Sequence, residues 1–192
     1  MFPETLETPS LRLERLCRDR VDVREFYEVF AAHGDHADAV FEHVPQEPYE
    51  TPKEARDKLA DAEESWEAGE TAEYAVYADG DLAGYTGLVL EWDRRTGRLG
   101  AILDRPHWGN GYAGECASAL TELAFDRLDL ELVEIGHEAG NERSKRFIEG
   151  FVDEHGGQYD GVLRNWTPMA DEVRDQHRYT ITRESFERAR EK

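Results

Sequence analysis

The segment Trp108-Gly109-Asn110-Gly111-Tyr112-Ala113-Gly114-Glu115 constrains this chain more than any other stretch. Three glycines fall within six residues, directly before an amphipathic run. Ala113, Cys116, Ala117, Leu120 and Ala124 recur at i, i+3, i+4, i+7 and i+11, which is one face of a helix. Glycine admits positive φ and lets the backbone approach a ligand closely. A helix start offers unpaired N–H groups and the positive end of a dipole. Together they make an anion site suited to a pyrophosphate. Asn110-Gly111 alone is also a hairpin signal, but the residues after it have a helical period rather than that of a second strand. The common phosphate fingerprints are absent: no Gly-Lys-Ser/Thr, and no complete Gly-x-Gly-x-x-Gly followed by an acid ~20 residues on.

The rest of the chain divides into readable elements. Leu11-Arg12-Leu13 predicts a first strand, and 22–32 a helix. Residues 33–50 carry polar, proline-containing loop chemistry. Thr51-Pro52-Lys53-Glu54 is a helix start with Thr as N-cap, Pro at the first position and Glu at the third. Ala55, Leu59, Ala62 and Trp66 then share one face. Strand-like residues 73–78 and 82–91 flank the turn Asp79-Gly80-Asp81, and a turn at 94–97 leads into a strand over 98–103. After the glycine loop and its helix come a strand over 132–137, a helix opening at Asn141 or Ser144, and strands near Val162 and Tyr179. Antiparallel strands followed by a strand-loop-helix-strand unit predict an α+β fold.

The glycine loop resembles the acetyl-CoA loop of GNAT-type N-acetyltransferases, Gln/Arg-x-x-Gly-x-Gly/Ala, with Trp108 in its first place. Its Trp-Gly-x-Gly-Tyr-Ala form is similar to the Rim-type branch, the ribosomal-protein alanine acetyltransferases and their relatives. Asn141-Glu142-Arg143-Ser144 resembles that branch's Asn-x-x-Ser, and residues 160–165 its Glu-Gly-x-Leu-Arg. Leu6 to Leu13 resembles its opening Leu-x-Thr-x-x-Leu-x-Leu strand. The resemblance spans nearly the whole chain and implies one GNAT domain over 1–192. Its fold is a mostly antiparallel mixed sheet with splayed central strands and helices on both faces. The stretch from Ser144 to Gly156 is about four residues longer than the family's, read as a surface insertion.

The resemblance also implies site residues. Acetyl-CoA is the expected cosubstrate, with no metal. Ile102 and Leu103 would pair their backbone with the pantetheine arm. Trp108, Gly109, Asn110, Gly111, Tyr112, Ala113 and Gly114 would hold the pyrophosphate, Asn141 would contact the cofactor, and Arg146 would reach a phosphate. Many relatives use a Tyr four residues beyond the serine as the thiolate's acid; here that place is Ile148, so Ser144 becomes the candidate, with helix capping as its alternative role. Many relatives also carry Glu before the glycine loop in a Glu-x-Gly context; here Arg98 stands there. Glu91 and His137 are the candidate bases, with Asp93 and Glu134 behind them.

Without a dedicated base, the acceptor's own pKa matters. At pH 7 about one lysine amine in 2,500 is neutral, against about one α-amino group in ten. This favours a protein N-terminus as acceptor. A small amine such as a polyamine or an aminoglycoside-like compound, and a catalytically silent acyl-CoA-binding module, are the alternatives.

Composition narrows the setting. The net charge is −20, and the 43 acids are dispersed along the chain. Of 23 basic residues only Lys53, Lys58, Lys145 and Lys192 are lysines. Such a surface resembles proteins of salt-in halophiles, where screening shortens to ~3 Å at 1 M salt. It argues against nucleic acid, which needs a basic patch. The absence of a long apolar run and of a charged-then-apolar leader predicts a cytoplasmic protein without membrane attachment, monomer or homodimer. Cys17 and Cys116 read as buried free thiols.

Overall fold

A computed structural model describes residues 1–191; Lys192 lies outside them. Eight strands form one sheet in the order β1-β2-β3-β4-β5-β6-β8-β7. They are β1 (Thr5–Glu7), β2 (Leu11–Arg15), β3 (Thr71–Ala78), β4 (Asp81–Glu91), β5 (Thr96–Leu103), β6 (Leu132–Glu138), β7 (Gln158–Pro168) and β8 (Val173–Thr182). Every neighbouring pair is antiparallel except β5 and β6. The helices are α1 (Val23–Phe30), α2 (Ala37–Phe41), α3 (Pro52–Ala68), α4 (Tyr112–Glu122), α5 (Glu142–Glu154) and α6 (Arg183–Arg190). The expected α+β architecture, with helices on both faces, is what the chain forms.

Both faces of the sheet are buried because its central strands carry apolar groups on both sides. On β3, Ala72, Tyr74 and Val76 join a core with α4, α5 and α6, while Ala75 joins a second core with α1, α2 and α3. The predicted faces of two helices hold: Ala55, Leu59, Ala62 and Trp66 of α3 are buried, as are Cys116, Ala117 and Leu120 of α4. Burial pushes the Cys116 thiol up to about 12, so it stays an unreactive packing group.

Several local expectations change. The opening strand expected over Leu6–Leu13 is two strands folded back on each other, with Leu6 opposite Leu13. The turn between them is tied to α4: Thr8 Oγ1 donates to Glu115 Oε2 at 2.7 Å, and the Ser10 amide donates to the same oxygen at 3.0 Å. Burial raises the Glu115 pKa, but these bonds more than offset it and the group sits below its ordinary value. The 33–50 loop contains α2, whose Ala37, Val40 and Phe41 are buried. Its brevity hid it from periodicity. Thr51 makes no capping bond to the α3 backbone. Instead Glu54 accepts from the Glu50 amide at 2.8 Å and the Thr51 hydroxyl at 3.2 Å. Beyond β8 the chain adds α6, capped by a reciprocal Thr182–Ser185 box.

The central strands part. β5 and β6 pair only at Thr96–Leu132, Gly97–Val133 and Arg98–Glu134. Past that point β5 stays paired with β4 to Leu103, and β6 stays paired with β8 to Glu138. This is the expected splay. At its open end Gly84 lies opposite Leu103 with φ +151°, and a β-carbon there would sit 2.8 Å from the Leu103 Cα. Gly84→Ala should therefore destabilise the fold by about 1–3 kcal/mol, read as a lowered urea midpoint. An unchanged midpoint would show that the open end of β5 yields freely.

Candidate active site

The wedge between β5 and β6 opens into two cavities. The first, of about 340 Å³, runs from Ile102 and Leu103 past the glycine loop to Asn141, Arg143, Ser144 and Phe147 on α5. The second, of about 590 Å³, is a groove on the other side, lined by residues from β3 to β8, among them Glu73, Tyr85, Gly100 and Glu138. Six residues line both: His43, Val44, Ala101, Ile102, Asn141 and Ser144. The two cavities meet at this shared rim.

The first cavity has the features of a phosphate and pantetheine site. A turn at Arg105–His107 leads the chain off β5, and the Trp108 indole nitrogen donates to the Leu103 carbonyl at 2.7 Å, fixing the loop's entry. Asn110 Nδ2 donates to the His107 carbonyl at 3.2 Å. Gly109 and Gly111 both have φ +82°, and a β-carbon on either would meet nothing within 4 Å. Their glycine identity answers to backbone conformation, and the space above them is open to a ligand. Among the described residues, no amide from Gly109 to Gly114 donates to an acceptor elsewhere in the fold. Six N–H groups at the start of α4, with Tyr112 and Ala113 beside the cavity, fit a pyrophosphate. The Arg143 guanidinium lies 3.2 Å from the centre of the Trp108 ring and adds a positive charge to this wall.

Asn141 is the N-cap of α5: its Oδ1 accepts from the Ser144 amide at 3.0 Å. Ser144 is therefore the third helical residue and not the cap. Its hydroxyl makes no hydrogen bond among the described residues. It lies on the rim, free for a reacting group. Ile148 is buried in the core beside α4, so the family's Tyr position is here a packing position. The α5 residues that line the first cavity end at Phe147, so the rest of the helix up to Glu154 lies outside its wall.

The other candidates lie off the shared rim, although His137 lines the groove. Arg146 is exposed on α5 and lines neither cavity, whereas its neighbour Arg143 does. Glu91 pairs with Arg94 at 2.7 Å. It lies opposite Thr96, seven strand residues from Gly84, or roughly 23 Å at about 3.3 Å per residue from the loop end of the wedge. Asp93 is exposed in the following turn. Glu134 is buried against Arg178 at 2.7 Å. His137 has both ring nitrogens engaged, Nδ1 donating to the Glu138 carbonyl at 3.0 Å and Nε2 accepting from the Tyr179 hydroxyl at 3.3 Å. Its ring stacks on His177 at 4.8 Å. Burial lowers its pKa, the Glu138 carbonyl partly offsets this, and His177 adds to the lowering. The imidazole is thus a neutral, fully bonded member of the sheet. Sequence reasoning passed over His43, Glu138 and Arg174. His43 Nδ1 lies 2.5 Å from Glu138 Oε2, and Arg174 Nη1 donates to Glu138 Oε1 at 2.9 Å.

Residues 10–151 match the acetyltransferase (GNAT) domain. The chain belongs to the GNAT family of acetyltransferases. An uncharacterized Bacillus subtilis protein, YkkB, is 30% identical over 94 residues, which are 47% of this chain and 52% of YkkB. The match thus spans about half of that relative. A T. thermophilus structure assigned as an acetyltransferase is 25% identical, covers 100% of this chain and 97% of its own, and superposes with a TM-score of 0.77. At lower identity the likeness is one of fold. The microcin C7 self-immunity acetyltransferase MccE, in complex with acetyl-CoA and AMP, is 12% identical over 94% of this chain and 97% of its own, with a TM-score of 0.83. RimL, the ribosomal L7/L12 α-N-protein acetyltransferase, in complex with coenzyme A, is 15% identical over 93% of this chain and 98% of its own, with a TM-score of 0.78.

Acetyl-CoA is the donor this family uses, and the first cavity fits it. Gly111→Glu would force a side chain and a negative charge beside the open amides, in a left-handed backbone conformation. Calorimetry should show acetyl-CoA affinity lost while far-UV circular dichroism stays native. Retained affinity would place the phosphates elsewhere.

Proposed function

We propose that this protein transfers the acetyl group of acetyl-CoA to a primary amine, with the α-amino group of a protein N-terminus as acceptor. The observation that carries the reading is the meeting of two cavities at one rim. The glycine-loop cavity would bring the thioester to Ala101 and Ile102, whose strand edge is unpaired past Arg98. The groove would bring the amine from the other side. Holding two reactants at a common point supplies much of the rate in a transfer that needs little covalent help from the protein.

Ser144 is the acid in this reading. The leaving thiolate needs one proton, and a free hydroxyl on the rim can relay it. The acceptor preference follows from the charges lining the groove. Its carboxylates are committed to ion pairs: Glu73 with Lys58 at 2.6 Å, and Glu138 with Arg174. Glu134 and Glu91, just beyond its far end, are committed as well. An acceptor that is already partly neutral at pH 7 suits such a site better than a lysine side chain. The Rim-type form of the loop and of Asn141–Ser144 agrees with this preference.

The setting we propose is a salt-rich cytoplasm. Forty-three acids against 23 bases repel one another in the compact state, and mobile ions relieve that repulsion. Melting temperature should climb from low to molar KCl; a flat or falling curve would remove the halophilic reading.

The acceptor and the acid are tested together. In high salt, peptides with a free α-amine should be acetylated faster at pH 7 than N-blocked lysine peptides or polyamines. Faster acetylation of either competitor would reverse the assignment. Because Asn141 holds the cap, Ser144→Ala should leave the melting temperature nearly unchanged. It should lower turnover up to about 10²-fold, since water replaces a weak donor. Normal turnover would make Ser144 a bystander.

A further inference from the structure

His43 follows α2 and lines both cavities at their shared rim. Its Nδ1 is 2.5 Å from Glu138 Oε2. The Glu138 side chain is only 4% exposed, and its other oxygen accepts from Arg174 at 2.9 Å. A carboxylate that already accepts from an arginine on one oxygen serves as an acceptor on the other. It therefore calls for a hydrogen on Nδ1, and in the neutral form of the ring this leaves the Nε2 lone pair available. Nε2 makes no hydrogen bond among the described residues; Glu42 Oε2 lies 3.8 Å from it, beyond hydrogen-bond range. The His43 side chain is 22% exposed, so it is both anchored and reachable.

Arg174 also donates to the Glu42 carbonyl at 3.2 Å and to Glu172 at 2.6 Å. This ties the segment after α2 to β8 and holds the histidine over the wedge. The arrangement is an imidazole oriented by a buried carboxylate, the carboxylate being fixed by an arginine. In general form this is how an imidazole is prepared to accept a proton.

We propose that His43, oriented by Glu138 and Arg174, is the base that takes the proton from the acceptor ammonium. The proposal rests on the acetyl-transfer reading above. The ammonium gives one proton to Nε2, and the freed nitrogen lone pair adds to the thioester carbonyl carbon. The C–S bond breaks with its electron pair leaving on sulfur. Sulfur takes the second nitrogen proton by way of the Ser144 hydroxyl or water, and the His43 proton passes to solvent. The products are an amide, a free thiol and one proton. Glu138 exchanges no proton in this scheme and is a positioning residue.

The base also sharpens the acceptor. An α-ammonium (pKa ~7.7–8.0) gives up its proton far more readily than a lysine ammonium (pKa ~10.4), so a base of given strength at this position favours the former. Charges around the ring come from Glu42 beside it, Glu138 and Arg174 from the sheet, Arg143 from the cofactor side, and Lys58, Glu73 and Arg98 across the groove.

Three measurements on the full chain test it. Long-range ¹H–¹⁵N NMR of the free protein, assigned with His43→Gln, should report the Nδ1–H tautomer for His43; the Nε2–H tautomer would overturn the proposal. His43→Gln should lower kcat/KM on the best amine about 10²–10⁴-fold and flatten the acidic limb of the pH–rate profile. Calorimetric affinity for acetyl-CoA should stay within threefold. Activity within threefold of the parent, with the same profile, would overturn the base while leaving acetyl transfer intact. Glu138→Gln should lower kcat, leave KM for acetyl-CoA unchanged and shift the tautomer to a mixture. A preserved tautomer and profile there would remove its positioning role. A parent protein that acetylates no amine would overturn both readings.

Discussion

The site depends on a parallel strand pairing that lasts three residues. β5 and β6 are joined at Thr96, Gly97 and Arg98, and then part. Backbone N–H and C=O groups facing the gap have lost a strand partner without losing their need for one. An open edge inside a sheet is ordinarily a liability. Here the gap is flanked by strands that remain paired on their outer sides, β5 to β4 and β6 to β8, so it is held open by the rest of the sheet. A bound donor that lays polar groups along the β5 edge would complete the pairing. The fold and the ligand site are thus one feature: removing the wedge would close the cavity.

The wedge also exposes what would otherwise be core. Glu134 and Glu138 alternate with Val133, Ile135 and His137 along β6, so carboxylates face one side and apolar or imidazole groups the other. Each carboxylate is matched to an arginine on the neighbouring β8, Arg178 and Arg174. Pairing across adjacent strands lets charge remain at a largely buried surface where an unpaired carboxylate would be costly. It also holds those carboxylates in a fixed orientation, and Glu138 uses its remaining oxygen to hold His43.

What was legible in the sequence came from strong local signals. Gly109 and Gly111 demand a left-handed backbone, and the run from Ala113 to Ala124 has a helical period, so loop and helix were read together. The helix opening was read at Asn141 or Ser144, and Asn141 is its cap. Trp66, Leu59 and Ala62 announced the α3 face by spacing alone. His43 was not legible. It sits in a polar stretch after a five-residue helix, too short to show a period. Its partners Glu138 and Arg174 lie 95 and 131 positions away, brought to it only by the pairing of β6 with β8. Glu138 also looked like one more acid in a chain with 43. Ser144 was read with the acid and cap roles open, and the Asn141–Ser144 bond gives the cap to Asn141. His137 attracted attention because a strand-end histidine suits base work, but chain order does not tell that both its ring nitrogens are taken up by Glu138 and Tyr179.

The same dispersed acidity that obscured the site bears on how it would work in salt. At molar ionic strength the screening length of ~3 Å is comparable to a contact distance, so exposed charges scarcely feel one another. Surface pairs such as Arg24–Glu28, with both side chains more than half exposed, then contribute little. The pairs at the wedge are different in kind. Glu138 and Glu134 are shielded from the ions that would screen them, and buried pairs are screened much less. Salt therefore acts on the two populations separately: it relieves repulsion across the surface while leaving the buried arginine–carboxylate links, Glu138–Arg174 beside His43 among them, in place. A chain built this way can carry a large excess of acid outside without loosening the geometry within.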